Sequence, residues 1–219
     1  MTKHLMERFF ILVQSVVFRR IGNSFPTNSF KRFMDRLFVT VEKIGSKFQI
    51  FSEQYLNMYQ EIVEKEIRMS PVKKKDRILI IGSGSLPTTA VLFALKTKAS
   101  IVAIDKDPQA VDAATNYVKQ FSLGNRLIIE HADGFSYPLS GFDVIVVLYG
   151  VTQQAEMIEH LAIHMHSDTR VIVRIVTDTK GNILDDQINL SKYFVVKEQA
   201  RSESLGSVVS FLLMKKPSG

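Results

Sequence analysis

One loop of this sequence has residue types and spacing that suit a bound nucleoside. Ile80-Ile81-Gly82-Ser83-Gly84-Ser85-Leu86-Pro87-Thr88-Thr89 follows an apolar run and precedes a segment of helical composition, the context that gives a glycine-rich loop meaning. Gly82 permits a tight turn, and Gly84 lets backbone come close to a ligand. Pro87 suits the first turn of the next helix, where its missing N–H costs nothing. A dinucleotide fingerprint wants a small residue at position 87, so proline there counts against a nicotinamide dinucleotide. Asp105 ends a second apolar run 21 residues beyond Gly84, where a carboxylate can accept hydrogen bonds from both ribose hydroxyls. Lys106 adjoins it, and Asp107 reads as a helix N-cap. After a third run, Asp133 and Gly134 place an acid where it could accept the exocyclic amine of adenine. Taken alone, Asp133 is equally well an Asx turn. In this order on successive strands, the three positions favour an adenosyl ligand, with S-adenosylmethionine first. Tyr149, in the loop after a fourth run, joins the same set.

These residues need a scaffold that brings several strand ends together. Residues 77–81, 100–104, 126–130, 142–148 and 170–175 are short apolar runs, and residues 88–96, 108–121 and 153–164 between them have helical composition. Strands that are apolar throughout and alternate with helices indicate a parallel sheet covered on both faces. Residues 193–200 and 207–214 then read as two strands joined at Gly206. The expectation is an α/β, Rossmann-like fold of class I methyltransferase type, a mostly parallel sheet with a C-terminal β-hairpin. Before it, residues 1–76 read as a helical N-terminal part, with helices near 5–20, 29–44 and 52–69. Residues 77–219 form the S-adenosylmethionine-binding unit.

Charge divides the chain at the same place. Residues 1–77 hold 15 of the 28 basic and 8 of the 22 acidic residues, a net of +7, whereas residues 78–219 are net −1. The overall +6 therefore says little about the chemistry of the ligand-binding part. No cysteine occurs, which excludes a disulfide scaffold, a thiolate-ligated metal and thiolate catalysis, and fits a cytoplasmic protein. The apolar stretch near residue 10 is too short and too interrupted to span a bilayer.

The loop Gly82-Ser83-Gly84-Ser85-Leu86-Pro87-Thr88-Thr89 resembles that of nicotianamine synthases and their metallophore-forming archaeal and bacterial relatives. The likeness continues through residues 142–148, His160-Leu161-Ala162-Ile163-His164-Met165 and residues 169–174, and it covers roughly residues 55–215. The Leu-Pro-x-Thr extension is its more specific part. The resemblance implies a transfer of the 3-amino-3-carboxypropyl group of S-adenosylmethionine to a small amine or amino acid, with release of methylthioadenosine. It implies that Gly82, Gly84, Leu86, Asp105 and Asp133 line the site, and that an aromatic hydroxyl comes from the preceding helix, where Tyr55 and Tyr59 stand. Ser85 occupies a position where the family usually has proline. Glu42 and Glu53 are candidates in the N-terminal part for a family glutamate that acts on the amine, and a solvated helix face is the competing reading for both.

Other constellations yield less. His160, His164 and His166 have helical spacing, but no carboxylate pattern completes a metal site, so no metal is expected. Arg174 could hold a substrate carboxylate bidentately or make an ordinary surface ion pair. Conventional methyl transfer on the same fold is the nearest alternative, and a non-enzymatic nucleic-acid-binding protein using the basic N-terminal part comes next. The expected partner is a small-molecule acceptor, without nucleic acid or membrane, and a homodimer is compatible with the reading.

Overall fold

The computed structural model describes residues 46–217 except Thr179 and Gly206, with side chains from Leu56 onward. The two earlier expected helices, Glu42, and the side chains of Glu53 and Tyr55 lie outside the described residues.

Five apolar runs become parallel strands because each can be covered on both faces. These are β1 (Arg77–Ile81), β2 (Ser100–Asp105), β3 (Leu127–His131), β4 (Val144–Val147) and β5 (Arg170–Val176). The hairpin follows as β6 (Phe194–Arg201) and β7 (Val208–Lys215). The sheet order is β3-β2-β1-β4-β5-β7-β6. β7 runs antiparallel to both of its neighbours, while β1 to β5 are parallel. This is the mostly parallel class I methyltransferase-like arrangement read from the sequence.

Alternation along each strand builds two cores. Ile78 and Ile80 point to one face with Ala103, Val144, Val146 and Ile172. Leu79 and Ile81 point to the other with Ile104, Ile145, Val147 and Val171. Helix α1 (Ser46–Met69) and α2 (Thr88–Lys96) cover the first face. A helix α4 (Gln154–His164) covers the second through Met157, Ile158 and Leu161. Between them in sequence lies α3 (Pro108–Val118), and a single turn, α5 (Leu190–Tyr193), leads into β6.

Helix α1 begins six residues earlier than the pattern suggests, at Ser46. Its Met58, Tyr59, Ile62 and Val63 are buried in the same core as β1 and β4. The compositional boundary at residue 77 is therefore not a packing boundary. Helical steps of three and four residues give α1 one apolar stripe, and the sheet is what buries it.

Because β1 lies between β2 and β4, the strand order reverses beside it, with β2 and β3 laid down on one side and β4 and β5 on the other. The carboxyl ends of the strands at such a switch point leave a crevice between the loops.

Candidate functional site

At the end of β1 the chain turns through Gly82 and Gly84, at φ +83° and +66°, the left-handed region where a side chain is strained. The carbonyl of Ile104 accepts the Gly82 and Ser83 N–H groups at 2.9 and 3.0 Å, which hangs the loop on the end of β2. Asp105 comes next and is buried. One of its carboxylate oxygens accepts the Gly84 N–H at 2.7 Å, and the other accepts the Asp107 N–H at 3.1 Å. Asp105 thus shapes the glycine loop as well as facing the crevice, a role the sequence reading did not assign. Asp107 caps α3, its side chain accepting the Gln109 N–H at 2.9 Å.

The crevice at these strand ends opens to solvent, at the place where open α/β sheets take their ligands. Five of the expected residues meet on its wall: Gly82, Asp105, Lys106, Asp133 and Gly134. The carboxylate of Asp133 also accepts the Phe135 N–H at 3.0 Å, so the Asx turn and the position beside the ligand coexist. Ser83, Gly84, Leu86 and Pro87 are not on that wall. Ser83, Gly84 and Pro87 are buried, and Leu86 packs against the first core. Pro87 stands at the N-cap of α2 and not inside its first turn. The hydroxyls of Ser83 and Thr88 are buried in this loop with no hydrogen-bond partner among the described residues. Such atoms are costly to leave unsatisfied.

Sequence reasoning missed much of the remaining lining. Phe135, Val151, Thr152 and Met157 also line the crevice, and no motif marks them; Gln153, expected on the substrate side of the fold, lines it too. Two glycines make this closeness tolerable. A Cβ on Gly82 would come within 2.6 Å of Val151 Cγ2, and one on Gly134 within 2.8 Å of Ile81 Cγ2 and 2.9 Å of Met157 Cε. Gln153, just before α4, is the one non-glycine residue at positive φ among the described residues, at +60°. A backbone held in that region often marks a functional loop.

A second cluster lies on the other face of the sheet. Tyr149 does not line the crevice; its hydroxyl lies 2.7 Å from that of Tyr59, the aromatic expected from α1. Arg174 departs from both roles considered for it. Its side chain is wholly buried and holds no surface position. Its Nε and Nη2 donate to the two Glu66 oxygens at 2.7 Å each, and its Nη1 donates to Thr89 Oγ1 at 2.8 Å. With the fork filled by Glu66, no donor pair is left for a substrate carboxylate. Burial alone would lower the Arg174 pKa, but the Glu66 carboxylate overrides it, and the group stays charged with its pKa raised.

The histidines do not assemble a metal site. His160 and His164 rings stack 4.3 Å apart, and His160 meets Phe135 edge-on at 5.5 Å. Burial, helped by His164, holds His160 below its ordinary range. His166 is exposed, near Asp168. Among the described residues no group of three or more His, Asp or Glu side chains is placed to hold a metal ion. None of their helices is long and apolar enough to cross a membrane.

Residues 44–216 match the family model for nicotianamine synthase protein. L-histidine 2-aminobutanoyltransferase from Yersinia pestis is 25% identical over 124 residues, covering 56% of this chain and 46% of that protein. A protein of the same name from Pseudomonas aeruginosa is 24% identical over 132 residues, covering 58% and 49%. The match thus spans about half the length of these curated relatives. A mutant of MtNAS crystallised in complex with S-adenosylmethionine superposes with a TM-score of 0.72 at 16% identity, over 99% of this chain and 93% of that one. An RNA methyltransferase from Salinibacter ruber in complex with S-adenosyl-L-homocysteine gives 0.56 at 14% identity, over 72% and 92%.

Proposed function

The chain belongs to the nicotianamine synthase family, and from that premise we propose that it binds S-adenosylmethionine in the crevice and transfers its 3-amino-3-carboxypropyl group to a small amine or amino acid. The observation that carries this reading is the convergence of the Gly82–Gly84 loop, the Asp105 carboxylate and Asp133 at one crevice. Gly82, Asp105 and Lys106 would hold the ribose, and Asp133 with Gly134 the adenine. The names of the curated relatives, which are 2-aminobutanoyltransferases of histidine, favour an amino-acid acceptor. A cytoplasmic location fits a chain without cysteine.

In the transfer, the acceptor nitrogen attacks the methylene carbon that joins the aminocarboxypropyl arm to the sulfonium. The carbon–sulfur bond breaks, its electron pair goes to sulfur, and methylthioadenosine leaves as a neutral thioether. The nitrogen loses one proton to a base. Methyl transfer is the same displacement at a different carbon, so the outcome depends on which carbon is held in line with the nucleophile. We propose that the Tyr59–Tyr149 hydroxyl pair stands at the edge of the crevice, where Gly150, next to Tyr149, is part of the lining, and flanks the acceptor there.

The test is product analysis with S-adenosylmethionine and a panel of amino acids. Methylthioadenosine supports the reading, S-adenosylhomocysteine replaces it with methyl transfer, and neither product with any acceptor removes it.

A further inference from the structure

We propose that Arg174 is a positioning residue: clamped by Glu66, it sets the place and orientation of the Tyr59–Tyr149 hydroxyl pair at the strand ends. The inference rests on the reading that this pair serves the transfer.

Four elements meet at this one ion pair. Glu66 comes from α1, Arg174 from β5, Thr89 from the start of α2 and Ser210 from β7, where it stands opposite Arg174 in the ladder. Ser210 Oγ donates to Glu66 Oε1 at 2.5 Å, so one carboxylate oxygen takes two hydrogen bonds. Arg174 and Glu66 are both fully buried. From that fixed seat the guanidinium carbon lies 5.4 Å from the centroid of the Tyr59 ring, a cation–π distance. Tyr59 carries its hydroxyl 2.7 Å from Tyr149, just past the end of β4. The Arg174 carbonyl also accepts the Gln154 side-chain amide at 2.8 Å, at the first residue of α4 and next to Gln153 of the crevice lining.

A buried ion pair is weak evidence of a stabilising role. A well-packed apolar pair of similar volume is often as stable as a buried ion pair, or more so, since desolvating two charges offsets their attraction. What an apolar pair lacks is a fixed cation under Tyr59 and a donor that reaches Thr89. Thr89 belongs to the Leu-Pro-x-Thr extension of the glycine loop. The same guanidinium therefore sets the loop and the tyrosine pair relative to one another.

The experiment uses the full chain with Glu66→Leu and Arg174→Met combined, so that no charge is left unpaired. Circular dichroism checks folding, and NMR of ring-labelled tyrosine reads Tyr59 and Tyr149, assigned by Tyr→Phe variants among the six tyrosines. The expected result is a folded protein with displaced Tyr59 and Tyr149 signals. Methylthioadenosine formation should fall about ten-fold or more in kcat while KM for S-adenosylmethionine moves less than about three-fold. Unchanged tyrosine signals overturn the proposal, and so does an unchanged kcat with displaced signals. If the double variant does not fold, Thr89→Val removes one of the guanidinium's acceptors, and the same two readouts decide. A wild type that forms no methylthioadenosine ends the functional reading instead, and the tyrosine signals alone then decide whether Arg174 holds the pair.

Discussion

At the residue scale, the carboxylate of Asp105 has two duties, and its removal should show both. Asp105→Ala strips the acceptor from the Gly84 and Asp107 N–H groups, each bond to a charged group contributing about 1.5–3 kcal/mol. We expect a lower melting temperature and at least a ten-fold loss of S-adenosylmethionine affinity by calorimetry, since 1.4 kcal/mol is already a factor of about ten. Equal affinity in the two proteins would sink the site assignment. The glycines offer a graded test. Gly82→Ala suffers both the positive φ and the contact with Val151 and should cost about 2 kcal/mol or more. Gly134→Ala meets Ile81 and the flexible end of Met157 and should cost less, with urea midpoints giving the order. Tyr137 offers a pH test. Burial, with the Glu130 carboxylate that accepts its hydroxyl at 2.8 Å, pushes its pKa up to about 12 from 10.0. Folding thus favours the neutral phenol, so its stabilising share is complete below the unfolded pKa and is lost as pH rises through the folded one. Tyr137→Phe should flatten the fall of the urea midpoint across that alkaline window, and an unchanged slope would count against the Glu130 contact.

At the element scale, α1 is a structural part of the sheet domain. Ile62 and Val63 are fully buried in the core it shares with β1, and Ile62→Ala should cost about 2–5 kcal/mol. A chain beginning at residue 77 should fail to melt cooperatively, because it uncovers that core and takes Glu66 away from Arg174. A cooperative transition in that chain would show α1 to be dispensable. The strands and the hairpin were legible in the sequence because their signals are local: apolar runs, glycines, and a polar turn. Residues 142–148 shortened to Val144–Val147, as strand ends commonly do. The pairing of Glu66 with Arg174 spans 108 residues and that of Tyr59 with Tyr149 spans 90. No local pattern announces either. Arg174 was misread because an arginine in an apolar strand looks the same in sequence whether it faces solvent or an acid from a distant helix. The crevice was half legible for the same reason: the Asp105 side has a motif, and the Val151 side has only shape.

At the scale of the whole molecule, charge loses its apparent meaning. Residues 1–45 hold a net +5, whereas residues 46–217, with 20 basic and 19 acidic side chains, are nearly neutral. Several charges there are already paired, as in Lys65–Glu61 and Lys96–Glu64 at 2.6 and 2.7 Å. Little of the salt-dependent binding to nucleic acid that counterion release produces is therefore expected from residues 46–217. A steep fall of binding with added salt, measured on that segment, would contradict this. S-adenosylmethionine at about 100 times its Kd should stabilise the protein by about 2.7 kcal/mol, visible as a rise in melting temperature. The order of the sheet has a consequence for synthesis on the ribosome. β7 follows every other strand in sequence yet lies inside the sheet, between β5 and β6, and it delivers Ser210 to the Glu66 carboxylate. Until it has left the exit tunnel, β5 has an open edge and the buried ion pair lacks one of its donors. The nascent chain must wait with an unfinished sheet, a period in which a holding chaperone would have most to bind.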